Sequence, residues 1–144
     1  MGYEIAEQLQ AITSVEDEGH LEQLQRILDH ISPKQCGHEV ITALLGIFER
    51  FPMSDGFGVF WSVIHTLEAC DGYEPFLVAS VNRKPVEFNV LMINRLINGG
   101  IEQVNGQNLL RLLQSVASND QATPAARDSA RDFVEFQLEG GVDA

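Results

Sequence analysis

Residues 51 to 74, "FPMSDGFGVFWSVIHTLEACDGYE", combine a glycine-rich turn with tryptophan, histidine, cysteine and several carboxylates. A phosphate-binding loop needs several glycines that present backbone N–H groups, usually with a lysine for the phosphate charge. "DGFGVF" has two glycines, no lysine and an adjacent acid, Asp55. We therefore predict no nucleotide site, and we interpret Gly-Phe-Gly as a sharp turn beside which Phe57 packs.

Thiol and imidazole groups are the other candidates for chemistry, but their spacing matches no zinc motif. Cys36-x-His38 is half of such a motif, and the Glu-x-x-His repeat of di-iron bundles does not occur. We expect inert buried thiols, surface or capping histidines, no metal or cofactor, and no enzyme activity. A small helical enzyme or ligand carrier with a buried polar cavity beside His65 is a weaker hypothesis. The six residues are Cys36, Cys70, His20, His30, His38 and His65.

Charge is distributed unevenly along the 144 residues. The chain has 21 acidic and 9 basic residues, a net of −12, and residues 1 to 80 hold 13 of the acids with 3 of the bases. Such a surface repels phosphate backbones and attracts a basic protein. We therefore predict a basic protein partner and no direct nucleic-acid binding, with solubility as the alternative reason for the charge.

Cysteine usage and hydropathy give an expected location. Two cysteines are too few for a disulfide framework, no charged and apolar leader opens the chain, and its apolar runs are shorter than a membrane span. We expect a cytoplasmic protein without a membrane partner.

Apolar residues at spacings of three and four predict eight helices, for example Ile5, Leu9 and Ile12 in the first. Ser54 or Asp55 is predicted to cap the fourth helix, and Thr123 followed by a proline marks the start of the eighth. Strict alternation with β-branched residues is not found. The predicted fold is all-α, with about eight antiparallel helices stacked as a small HEAT- or armadillo-like solenoid, or alternatively an irregular orthogonal bundle.

This fold predicts one helical domain over residues 1–139 with a frayed tail at 140–144. In an alternating stack, the acidic turn at residues 16–18 and the turn at Asp55 emerge at one end. The second patch, at the other end, consists of Glu68, Asp71 and Glu74 around the turn after the fourth helix, with Tyr73 among them as an aromatic anchor.

Trp61 and His65 are four residues apart, so they share a face of the fourth helix, on a line that Phe57 and Glu68 continue. Packing against a neighbouring helix is the simpler interpretation; the functional one is an aromatic anchor ringed by carboxylates. Arg83 and Lys84 are interpreted as a solvated turn, or alternatively as a contact for an acidic edge of a partner. The predicted partner-binding residues are Glu16, Asp17, Glu18, Asp55, Trp61, Glu68, Asp71, Tyr73 and Glu74.

Residues 56 to 100 contain "FGVFWSVIHTLE", "GYEPFLVASV" and "NRKPVEFNVLMINRLIN". This third of the chain resembles small all-helical immunity proteins of bacterial toxin systems, including contact-dependent growth inhibition. The resemblance implies a cytoplasmic protein that binds a cognate toxin domain, often a basic nuclease, and blocks its active site or substrate path. A helical-repeat scaffold or adaptor that binds a basic protein or peptide is the alternative, and we expect no small-molecule ligand in either case.

Overall fold

The computed structural model describes the backbone of residues 2–140 and the side chains of residues 4–140. Helices, including the 3₁₀ turns, take up 69% of the described residues, which confirms the predicted helical class. The described residues form eight α-helices and one small antiparallel hairpin. The elements are α1 (Gly2–Gln10), α2 (Glu18–Asp29), α3 (His38–Arg50), α4 (Val59–Glu68), α5 (Glu74–Arg83), α6 (Glu87–Asn98), β1 (Gln103–Val104), β2 (Gln107–Asn108), α7 (Leu109–Ala117) and α8 (Pro124–Leu138), with 3₁₀ turns at Pro33–Gln35 and Gly56–Gly58.

The chain divides into two compact units, Met1–Phe76 and Leu77–Ala144, with the boundary inside α5. The single domain expected over residues 1–139 stays a prediction. Of the predicted frayed tail, residues 141–144 lie outside the described residues.

The first unit is built on pairs of helices. Helix α1 packs on α3, α2 packs on α4, and the sequence neighbours α1 and α2, and α3 and α4, also touch. Each helix contributes its apolar stripe to one core, where the rings of Phe48 and Phe60 meet edge to face at 5.3 Å. Fully buried members of this core include Leu9, Leu24, Leu44, Ile47, Ile64 and Leu67.

Arg50, the last residue of α3, holds the end of α1. Its guanidinium donates hydrogen bonds to the backbone carbonyls of Ile12 (2.7 Å), Leu9 (2.9 Å) and Gln10 (3.3 Å). The last carbonyls of a helix lack partners within the helix, so a cation here satisfies them and complements the helix dipole. The carboxyl-terminal ends of α1 and α3 are therefore side by side, and we call this end of the first unit the Arg50 end.

Cys36 and Cys70 form a disulfide, with their Cα atoms 5.5 Å apart. The prediction of inert buried thiols was wrong, because the fold brings the segment after α2 against the end of α4, where the two sulfur atoms are bonded. The rings of His38 and Phe76, which follow these two cysteines in the sequence, lie 4.9 Å apart. We call the part of the first unit around the disulfide the disulfide end.

The disulfide bears on the expected location. Since disulfides persist mainly in oxidising compartments, the cysteine argument for a cytoplasmic location no longer holds. Among the described helices, none is long and apolar enough to cross a membrane.

The second unit packs α6, α7 and α8 against one another. Its buried Asn89 is satisfied, because its side chain donates to Ser80 and to the Lys84 carbonyl and accepts from the Val86 N–H. The hairpin was not predicted. Asn105 and Gly106, both with positive φ (50° and 80°), form its two-residue turn. Asn-Gly between short strands is a strong hairpin signal, but strands of two residues are too short to show an alternating pattern.

Candidate functional site

Two chain connections leave the Arg50 end of the first unit. Residues 11–17 follow α1 and residues 51–58 follow α3, and the Arg50 hydrogen bonds place their starting points together. The first connection leads into the exposed acids Glu16, Asp17 and Glu18, and the second carries the exposed Asp55. The two turns that the sequence predicted at one end therefore start from neighbouring helix ends.

Among these acids, Asp17 also caps the amino-terminal end of α2. Its carboxylate caps α2 by accepting a hydrogen bond from the backbone N–H of His20 (3.1 Å), and the His20 ring Nδ1 lies 2.6 Å from its other oxygen. These hydrogen bonds lower the pKa of Asp17 below its ordinary value, because they stabilise the ionised carboxylate. Asp17 therefore keeps its negative charge to lower pH than an ordinary aspartate.

Residues 56–58 form a turn of unusual backbone conformation. Gly56, Phe57 and Gly58 all have positive φ, at 60°, 50° and 92°. Gly56 is needed here, since a Cβ at this position would sit 2.6 Å from a ring carbon of the buried Phe60. The predicted sharp turn is present, but the expected packing of Phe57 was wrong, because its side chain is 69% exposed.

Two side chains hold this turn in place. The Ser54 hydroxyl accepts a hydrogen bond from the Gly56 N–H (3.0 Å), and the Asp55 carboxylate accepts one from the Phe57 N–H (2.9 Å). These residues were predicted to cap α4, whereas they cap the turn before it, and Gly58 occupies the N-cap position of α4. Each satisfies the N–H two residues on, as short polar side chains do in turns.

Three large apolar side chains are exposed along this segment. Met53 is 81% exposed, Phe57 69% and Trp61 43%, and we call these three residues the apolar patch. Trp61 lies in the first turn of α4, and its ring centroid is 6.3 Å from that of His65, which is also exposed. Nearly half of the Trp61 surface thus remains open to solvent, more than the interpretation of Trp61 as packed against a neighbouring helix predicted.

The second predicted acidic patch lies at the disulfide end. Asp71 is exposed, while Glu68 and Glu74 are partly exposed. Tyr73, expected as an aromatic anchor among them, is 7% exposed and belongs to the core of the first unit. Its ring is therefore not presented to a partner, because the turn folds it inward between the acids.

Family models, curated proteins and solved structures gave no match to this chain.

Two hollows in the first unit offer alternative sites. A groove of about 580 Å³ runs between α1 and α2 and is lined partly by Gln8, Gln23 and His30. A smaller hollow of about 250 Å³ lies beside His65 and Cys36. His65 is exposed and Cys36 is in a disulfide, so neither a buried polar cavity nor a thiol nucleophile is found there. Within residues 4–140, no group of three or more His, Cys, Asp or Glu side chains is arranged to hold a metal ion.

The charge asymmetry follows the division into units. Residues 1–76 contain the same 13 acids and 3 bases that the sequence showed over residues 1–80, a net of −10, whereas residues 77–144 have a net of −2. One of the three bases, Arg50, donates its hydrogen bonds to backbone carbonyls. All nine predicted partner-binding residues lie in residues 1–76.

Met53 and Phe57 are the exposed residues that the sequence interpretation missed as site candidates. The prediction that Phe57 continues the helical line of Trp61 and His65 was wrong, because Phe57 precedes α4 and has a positive φ. The glycines on both sides of Phe57 were a signal for such a turn. Met53 carried no comparable signal, because nothing in its neighbours specifies whether its side chain turns inward.

Proposed function

We propose that this chain is an inhibitory binding protein that neutralises a basic enzyme, in the manner of the immunity proteins of bacterial toxin systems. The observation that supports the proposal most strongly is the net charge of −10 on residues 1–76. A surface of this charge attracts a positively charged protein over distances of up to about 10 Å at an ionic strength of 0.1 M, beyond which salt screens the field. A basic nuclease, whose cleft is built to hold phosphates, is the kind of enzyme that such a surface complements.

Capture and affinity have different sources in this proposal. The exposed carboxylates raise the association rate through their long-range field, while a few buried aromatic contacts determine how long the complex lasts. Trp61 is the predicted anchor whose side chain is open to such contact. Inhibition then follows from occupancy, because carboxylates in a phosphate-binding cleft exclude the nucleic-acid substrate.

The first experiment is co-expression with the product of the neighbouring gene in bacterial cells. The expected result is that the neighbour alone stops growth, that the chain restores it, and that the two proteins elute together in a 1:1 complex. A neighbour that is toxic and remains toxic, or that forms no complex with the purified chain, overturns the proposal. A harmless neighbour likewise counts against it, since an inhibitor of this kind is made beside its target.

Charge reversal tests how the partner is captured. Replacing Asp71 and Glu74 by lysine is expected to slow association about tenfold at low salt and to flatten its salt dependence, because the steering field weakens. Stopped-flow mixing measures this rate. The matched control reverses Glu102 and Asp132, two exposed acids of residues 77–144, and should leave the rate nearly unchanged. Equal slowing by both pairs would mean that the association rate depends on the net charge of the chain and not on the position of Asp71 and Glu74.

A helical-repeat scaffold that holds a basic peptide is the second candidate function. Two observations favour it: the groove between α1 and α2, and the order of contacts in the first unit, where α1 packs on α3 and α2 on α4. That order is expected of two stacked helical hairpins, the repeating unit of a solenoid. Binding of a basic peptide that is lost on replacing Gln8 and Gln23 with larger side chains, but unaffected by changes at Trp61, would favour the scaffold.

A further inference from the structure

The apolar patch of Met53, Phe57 and Trp61 lies within nine residues of chain. Adjacent members are four residues apart, so their Cα atoms are separated by at most about 14 Å. Single exposed apolar side chains are ordinary on protein surfaces, whereas larger apolar patches mark interaction sites, and three residues of one short segment are here 81%, 69% and 43% exposed. The patch follows directly on the Arg50 end, where the first acidic turn also begins.

The backbone at Phe57 indicates that the ring has a use outside the fold. Its φ of 50° lies in the left-handed region, which disfavours a residue of this size, and glycines flank it on both sides. The ring is largely exposed, so burial within the chain does not offset that conformational cost. Glycine or asparagine would adopt the same turn more easily. A phenylalanine at this position contributes a surface that the fold itself does not need.

Charge selects the occupant of the patch. With a net of −10 on residues 1–76 and −12 on the whole chain, a second copy, an anionic membrane and a nucleic acid are all repelled. A basic protein is attracted. Asp55, exposed and placed between Met53 and Phe57 in the sequence, adds a carboxylate within the patch.

We propose that the apolar patch binds an arginine side chain presented by the basic partner, an inference that rests on the proposed function and specifies its contact. The planar guanidinium stacks on the Phe57 or Trp61 ring, where the face of the ring attracts a cation. The Asp55 carboxylate accepts a hydrogen bond from the same guanidinium. Arginine suits this site better than lysine, because its flat, weakly hydrated head group both stacks and donates several hydrogen bonds.

The test uses Phe57→Asn, which removes the ring and keeps a residue that tolerates positive φ. A synthetic nona-arginine peptide is the probe, and the fluorescence of Trp61, the single tryptophan of the chain, reports binding. Phe57→Asn is expected to weaken nona-arginine binding about 5- to 30-fold, the range of a cation–ring contact, while the urea unfolding midpoint stays the same or rises. Nona-lysine should bind the unchanged chain more weakly than nona-arginine.

Matched controls come from residues 77–144. Leu138 is 67% exposed and Phe136 is 39% exposed, close to the values for Phe57 and Trp61. Leu138→Asn is therefore the control for Phe57→Asn, and Phe136→Ala is the control for Trp61→Ala. Calorimetry measures the affinity of each variant for nona-arginine. Neither control should change the affinity for nona-arginine. Absent binding, or equal affinity for the unchanged chain and for Phe57→Asn, overturns the inference.

Two comparisons separate this inference from the proposed function. If Phe57→Asn binds nona-arginine normally and still protects cells from the neighbouring toxin, the arginine contact is wrong and the inhibitor proposal stands. If nona-arginine binding depends on Phe57 but the chain gives no protection, the inhibitor proposal is wrong and the arginine contact stands. Binding to phosphatidylglycerol vesicles or single-stranded DNA, or dimer formation, that Phe57→Asn abolishes would assign the patch to that occupant and overturn the inference.

Discussion

Replacing Arg50 by methionine removes the guanidinium that joins the ends of α1 and α3, while a long apolar side chain remains. The two shortest bonds, to Ile12 (2.7 Å) and Leu9 (2.9 Å), each contribute about 1.5–3 kcal/mol when the donor is charged. Partial burial of the guanidinium lowers the pKa of Arg50 and offsets part of this gain. The expected loss in the free energy of unfolding is therefore about 2–4 kcal/mol.

Urea unfolding followed by Trp61 fluorescence measures this loss directly. Trp61 is the single tryptophan and lies in the first unit, so its signal reports the unit that Arg50 holds together. With a urea dependence of about 2 kcal/mol per molar, the midpoint should fall by about 1–2 M. Arg26→Met, at an exposed arginine of α2, is the matched control and should change stability by less than about 0.5 kcal/mol.

Equal stability of Arg50→Met and the Arg26→Met control would contradict a stabilising role for the Arg50 hydrogen bonds. In that case the three carbonyls would have found water as an adequate partner, and the Arg50 end would not depend on this side chain. Arg50→Lys should lie between the two, because an ammonium keeps the charge but cannot span carbonyls from three residues.

Three further predictions concern the same unit. Replacing Cys36 and Cys70 by alanine removes a disulfide between residues 34 apart in the sequence and should lower the free energy of unfolding by about 3.8 kcal/mol. The melting temperature should fall by about 8–15 °C, and reduction of the wild-type disulfide should give the same fall. Gly56→Ala should cost about 2–4 kcal/mol in urea unfolding, because its Cβ meets a buried ring at positive φ, whereas Gly46→Ala, with open space inside α3, should stabilise by about 0.5–1 kcal/mol. Since hydrogen bonding lowers the pKa of Asp17, the stability it gives is present above the ordinary aspartate pKa and is lost as pH falls through the lowered one. An NMR titration of its carboxyl carbon with an ordinary midpoint would contradict this.

Local rules were enough to predict the helices and several of their ends. Thr123 caps α8 by accepting from the Ala126 N–H, and Pro124 occupies its first position, as the sequence indicated. The cap of α2 by Asp17 was not predicted, although it depends on the same kind of local contact. These features depend on side chains reaching backbone groups two or three residues away, so the neighbouring sequence contains the information.

The disulfide could not be predicted in the same way. Cys36 and Cys70 are 34 residues apart, and their proximity depends on how the segment after α2 meets the end of α4. Two cysteines in a chain fit free thiols as well as a bond. The pairing is a property of packing between helices rather than of either local sequence.

The acidic residues of the candidate site were predicted better than the burial of its aromatic residues. The acidic turns were identified from charge, since carboxylates are rarely buried without partners. The predicted burial of Tyr73 and Phe57 was wrong in both cases, since the tyrosine is buried and the phenylalanine is exposed. Hydrophobicity alone favours burial of both, and the positive φ at Phe57 that turns its ring outward depends on the two flanking glycines acting together.

Hydrogen–deuterium exchange on the complex with the neighbouring gene product tests the central claim most directly, namely that the acidic first unit and its apolar patch contact a basic partner. We predict slowed exchange in residues 11–18 and 51–61, with little change in residues 77–140. Protection confined to residues 77–140, with the acidic turns and the patch exchanging as in the free chain, would contradict the account.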